Sequence, residues 1–212
     1  MESTCSNYSP GNGHNGAAGL RLVVGMTGAT GAILGVRFLQ ALHEQGVETH
    51  LIVSKWARAT LQMETDYKVD EVLALAHKVY SERDQAAAIS SGSFRTDGMA
   101  VVPCSMKTLA AIRMGYADEL VARAADVTLK ERRRLVLVPR EVPLNAIHLE
   151  NMLALTHAGA QMLPPMPAFY NRPESVDDIV NHIVSRLLDQ FGLDNDLTRR
   201  WSGARTLTKE TP

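Results

Sequence analysis

The chain has 212 residues, 22 Lys and Arg against 23 Asp and Glu for a formal net charge of −1, and 45% hydrophobic content. That composition describes a folded globule rather than a disordered chain, and its near-neutral charge gives no global attraction to nucleic acid or an anionic membrane. No apolar run approaches the ~18 residues of a membrane span, and the two cysteines, Cys5 and Cys104, make neither a disulfide framework nor a zinc site, which points to a reducing, cytoplasmic setting.

Residues 1–19 hold no Leu, Ile, Val or Phe and predict a disordered extension, since such a segment buries too little apolar surface to offset its ordering entropy. Leu20–Met26 predicts a buried strand that ends in glycines. Residues 30–45 place Ala32, Val36 and Leu39 on one helical face, with Gly46 as the C′ residue. Val47–Ser54 reads as a second strand, and Val69, Val72, Leu73, Ala76 and Val79 follow a helical period. Met99–Cys104 and Leu135–Val138 predict further strands, with helices near 106–114, 118–132 and 148–158. Beyond Ser175, the spacing of Ile179, Val180, Ile183, Val184, Leu187 and Leu188 predicts an amphipathic helix, started by the S-x-x-D of Ser175 and Asp178. Strands alternating with helices imply a three-layer α/β fold with a parallel sheet, in which ligands bind beyond the carboxyl ends of the strands.

Five segments carry candidate chemistry. The first is G-M-T-G-A-T-G, with Gly25, Gly28 and Gly31, between the first strand and first helix. It fits either an anion-binding loop or a tight structural turn; Thr27 and Thr30 favour a polar ligand, and neither the dinucleotide nor the P-loop fingerprint is met. The second is Ser54, either a strand-end cap or a ligand contact. The third is S-S-G-S-F-R-T-D-G, running into V-V-P-C-S-M-K-T, where Ser105, Met106, Lys107 and Thr108 open a helix after a buried strand. The fourth is cationic: Arg123 and Lys130 share a helical face, and a strand ends in Arg140 and Glu141. The fifth, P-P-M-P-A-F-Y at 164–170, stiffens a path bearing Met166, Phe169 and Tyr170, for core packing, a subunit contact or an aromatic pocket wall. His148 and Glu150 lie two apart on a helix and face apart, so no metal site is expected.

Taken in order, T-G-A-T-G-A, the Ser54 strand end, E-T-D at 64–66, S-G-S-F-x-T-D-G-M, P-C-S-M-K-T-L, R-A-A-D-V-x-L-K-E-R-R, L-V-P-R-E-x-P-L, I-H-L-E-N-M-L and P-P-M-P-A-F-Y strongly resemble the UbiX-type flavin prenyltransferases. D-Q-A-A-A-I-S-S-G-S-F is closest to the branch counted as a second component of hydroxyarylic (phenolic) acid decarboxylases. The resemblance covers roughly residues 20–201 and leaves 202–212 as a tail. It implies a flavodoxin-like subunit of a dodecamer that joins a dimethylallyl group from dimethylallyl phosphate to N5 and C6 of reduced FMN, the product serving a UbiD-type decarboxylase. Carried over by position, Gly28, Ala29, Thr30, Ser54, Ser105, Met106, Lys107, Thr108 and Arg140 match flavin-binding positions. Glu64, Arg123, Lys130 and Glu141 match positions near the reaction centre, Tyr170 and Arg186 match residues that hold the prenyl phosphate across a subunit boundary, and Trp201 matches a tryptophan near the site. Thr30 departs from the serine often found at its position. The alternative is an FMN-binding accessory component of a phenolic acid decarboxylase, without turnover of its own, against which the retention of Lys130, Glu141, Tyr170 and Arg186 argues. A flavin-dependent cysteine decarboxylase would need a histidine that residues 55–66 do not supply.

Overall fold

A computed structural model describes residues 19–203, so the expectations for 1–18 and 204–212 lie outside the described residues. Six strands, β1 (Arg21–Met26), β2 (Glu48–Val53), β3 (Lys78–Tyr80), β4 (Gly98–Cys104), β5 (Arg134–Pro139) and β6 (Gln161–Met162), form one sheet in the order β3-β2-β1-β4-β5-β6. Every pair is parallel, with Arg21 opposite Glu48 and Leu22 opposite Gly98. Without the three-residue edge strand β3, the remaining five follow the flavodoxin-like order. The chain builds outward from β1 through β2 to β3, then restarts at β4 on the other side of β1. That reversal opens a crevice at the carboxyl ends of β1 and β4, where loops diverge instead of covering each other.

Seven helices cover the sheet: α1 (Ala32–Glu44), α2 (Lys55–Glu64), α3 (Val69–Leu73), α4 (Met106–Met114), α5 (Leu120–Lys130), α6 (Ala146–His157) and α7 (Val176–Asp189). Side chains alternate across a strand, so Leu22, Val24 and Met26 enter one core with Val36, Leu39, Val184 and Leu188, while Val23, Met99 and Val101 enter the other with Leu120, Val121 and Ala125. Gly35 lets α1 lie flat on the sheet, because a Cβ there would sit 2.7 Å from the Val102 carbonyl oxygen. Gly46, at φ +68, ends the α1 segment as expected. The S-x-x-D signal also holds: Ser175 Oγ accepts from Asp178 N at 3.1 Å, and Asp178 Oδ2 accepts from Ser175 N at 2.9 Å.

Three elements depart from the sequence reading. The helical period over 69–79 breaks after α3, and Val79 lies in β3, because the segment must leave the helix to reach the sheet edge. Helix α2 has no counterpart in the sequence reading; only Ala57 and Leu61 are buried in it, too few to mark a period. Strand β6 has two residues and no pattern to read.

Candidate active site

The loops at the carboxyl edge gather most of the expected flavin-binding residues. Thr27 is buried, and its amide and hydroxyl both donate to Pro103 O, at 3.1 and 3.0 Å, while Ser105 N donates to Thr27 Oγ1 at 2.8 Å. Thr27 therefore stitches the ends of β1 and β4 together, and its hydroxyl is committed to that joint rather than to a ligand. A Cβ on Gly28 would lie 2.4 Å from Trp56 Cβ, so this glycine lets the first turn of α2, and Ser54 before it, close on the glycine turn. Ala29 N donates to Thr27 O at 2.8 Å, which folds Thr30 over toward α1.

Three helices begin along this edge, and their first amides are differently engaged. At α1, Glu64 Oε2 accepts from Gly31 N at 2.8 Å and Ala32 N at 3.0 Å, so the chain's own carboxylate fills the glycine-turn anion site. At α2, Ser54 Oγ accepts from Ala57 N at 3.1 Å and Glu82 accepts from Lys55 N at 3.0 Å. At α4, Ser105 Oγ accepts from Thr108 N at 3.3 Å and lies 3.0 Å from Thr108 Oγ1. Among the described residues no carboxylate caps the Met106 and Lys107 amides, which leaves the α4 start as the open anion site of the three. Lys107 turns its ammonium outward to Glu119 at 2.7 Å, which raises its pKa. Its backbone rather than its charge faces this site.

Arg140 N donates to Cys104 O at 3.2 Å, fixing the P-R-E segment beside the α4 start; the Arg140 side chain is exposed and in no ion pair among the described residues. Glu141 accepts from its own neighbour's amide, Val142 N, at 3.1 Å. Cys104 is fully buried, and desolvation pushes its thiol up to about 12, so it is no nucleophile at neutral pH.

The other expected residues lie elsewhere in the same chain. Lys130 ends α5, four residues before β5 begins, and lines a cavity with Arg132, Arg134, Gly159 and Gln161 at the amino edge of the sheet. Strands of six residues separate the two edges by roughly 20 Å. Arg123 donates to Ser90 O at 3.1 Å and pairs with Asp126 at 2.8 Å, bracing the serine-rich loop. Arg186 lines a second cavity with Leu163, Pro164, Met166 and His182, and pairs with Asp189. The Tyr170 ring meets His182 and Trp201 edge-on, each at 5.6 Å. Met166 and Phe169 are each 70% exposed, which removes core packing from the three readings of the proline-rich loop. Glu82, Glu119 and Trp56 were missed by sequence reasoning. Their roles depend on contacts between distant segments, and no local pattern marks them.

A family model described as Flavoprotein matches residues 13–188. The chain is 65% identical over 195 residues to a probable UbiX-like flavin prenyltransferase of Escherichia coli O157:H7, covering 90% of this chain and 99% of the relative. A crystal structure described as a dodecameric FMN-dependent UbiX-like decarboxylase from the same organism superposes with a TM-score of 0.86 at 67% identity, over 87% of this chain and 100% of that one. AnUbiX (PadA1), solved with FMN and dimethylallyl pyrophosphate, superposes with a TM-score of 0.86 at 59% identity, over 87% of this chain and 98% of that one. Fold, crevice and sequence agree, and the chain belongs to the UbiX-like flavin prenyltransferases of the Flavoprotein family.

Proposed function

We propose that the protein transfers a dimethylallyl group from dimethylallyl phosphate to N5 and C6 of reduced FMN, without a metal ion, and passes the prenylated flavin to a UbiD-type aromatic acid decarboxylase. The observation that carries this reading is the α4 start at the switch crevice, free of any carboxylate among the described residues and adjacent to Arg140, which forms no ion pair among them. Its amides, Ser105, Thr108 and Arg140 suit a flavin phosphate and polar ring edge, with Gly28, Ala29, Thr30 and Ser54 lining the remainder. Reduced FMN, when bound, supplies the nucleophilic ring atoms. The chain's own work is to hold the prenyl phosphate, to stabilise the negative charge that develops as its C–O bond breaks, and to exclude water. Lys130, Arg123 and Arg186 supply cations for that charge, each such donor typically being worth about 10²–10³ in rate. Tyr170 and Trp201 offer electron-rich faces to the cationic prenyl group. The proton lost from C6 leaves to the released phosphate, Glu64 or Glu141.

The separation of these groups within one chain supports a site completed by neighbouring copies, as a dodecamer like that of the E. coli relative would provide. Residues 20–201 form the catalytic domain in this reading, flanked by the two tails. Among the described residues no helix is long and apolar enough to cross a membrane; the cytoplasm is the proposed location. Anaerobic incubation with FMN, a reductant and dimethylallyl phosphate, followed by mass spectrometry of the flavin, should show a gain of C₅H₈. Unchanged FMN would refute the enzyme reading and leave the accessory-component one.

A further inference from the structure

Beyond the residues carried over from the family, one contact network ties the serine-rich loop to Lys130. Helix α5 ends in a left-handed residue, Arg132 at φ +55, a conformation that non-glycine residues adopt at some cost. That turn directs Arg133 back over the loop of residues 90–94. Arg133 donates through Nη1 to Phe94 O at 2.9 Å and through Nη2 to Gly92 O at 2.7 Å. Both ends of its fork are thus occupied by backbone carbonyls, which makes it a brace and not an anion ligand. Arg123 takes a third carbonyl of the same loop, Ser90 O. Gly92, held in this way, lies against the Lys130–Glu131 ion pair: a Cβ there would stand 2.0 Å from Glu131 Oε1 and 2.8 Å from Lys130 Nζ.

We propose that Arg133 is a positioning residue, which clamps the 90–94 loop so that Gly92 and Glu131 hold the Lys130 ammonium in one place. Lysine otherwise carries its charge on a flexible four-carbon stem, and about half of the Lys130 side chain is exposed. The inference rests on the prenyl-transfer reading, in which Lys130 faces the departing phosphate.

The test uses the full chain loaded with reduced FMN. Arg133→Ala should lower kcat by about tenfold to a hundredfold, the scale of an ångström-sized misplacement, with FMN affinity unchanged, and Arg133→Lys should recover part of the loss. Gly92→Ala should act likewise without unfolding the protein, because its Cβ meets only the ends of two flexible side chains. In a Lys130→Ala background, Arg133→Ala should cost nothing further, since the group it positions is gone. Losses that multiply in the double variant, a wild-type kcat in both Arg133→Ala and Gly92→Ala, or a Lys130→Ala variant as fast as wild type would overturn the inference. Should Arg133→Ala not fold, Gly92→Ala with and without Lys130→Ala decides the matter by the same comparison. If the wild-type chain itself adds no C₅H₈, the prenyl-transfer reading fails, and the inference falls with it.

Discussion

Glu64 matches a position at the reaction centre, and its carboxylate sits across the first amides of α1. A carboxylate there is stabilised by two charge-assisted hydrogen bonds and by the helix dipole. Glu64→Ala should therefore cost about 1 kcal/mol, the usual worth of an N-cap, and lower the melting temperature by roughly 2–4 °C for a domain of this size; Glu64→Gln should lose less. An unchanged melting temperature in Glu64→Ala would show that the cap contributes nothing. His182 is buried on α7 and its pKa lies below 6.5, first because burial penalises the imidazolium and then because Arg186 is near. The unfolded chain takes up this proton near pH 6.5 while the folded chain resists it, so stability falls as the pH drops from 7 to 5. His182→Gln should flatten that slope in pH-dependent melting curves; an equally steep slope would place the lost stability on other groups. Neither Glu64's partners nor the burial of His182 was legible in the sequence. A cap 33 residues from its helix, or a histidine on the apolar side of α7, has no local signature.

At the scale of elements, the helix starts are ranked by what already fills them. Sequence reasoning identified the glycine turn and the Ser105 segment as anion-binding geometries, and the loop-to-helix pattern sufficed for that. It did not show that Glu64 and Glu82 occupy the starts of α1 and α2. Ser105→Ala removes the α4 cap and a hydroxyl donor; losing one hydrogen bond to a charged group should weaken FMN binding about tenfold. Equilibrium titration followed by flavin fluorescence measures this, and an unchanged affinity would move the phosphate away from α4. Chelator-treated protein should keep both its flavin and its turnover; activity restored only by Mg²⁺ would contradict the metal-free site. Strong periods such as that of α7 were readable because its buried face spans Val180 to Leu188, whereas α2 shows too few apolar positions to declare itself.

Across the whole molecule, the candidate residues separate into a carboxyl-edge group around Ser105 and Arg140 and a second group around Lys130, Tyr170 and Arg186. If the second group completes a neighbour's site, Tyr170→Phe or Arg186→Ala should impair use of dimethylallyl phosphate while leaving FMN binding largely intact. Co-expression of Arg186→Ala with Arg140→Ala should then give mixed oligomers more active than either parent, since some interfaces receive every wild-type group. Activity no higher than in the parents would place the whole site in one chain. The sequence by itself determined the strand-helix alternation, the buried strands and the motifs after β1, β4 and β5, because periodicity, turn chemistry and helix starts are local properties of the chain. Only the tertiary structure decided that β4 lies beside β1, that Glu64 rather than a ligand caps α1, and that Lys130 stands a sheet's length from Arg140. These are contacts and distances between segments far apart in the chain, created when the two faces of the sheet bury their apolar side chains.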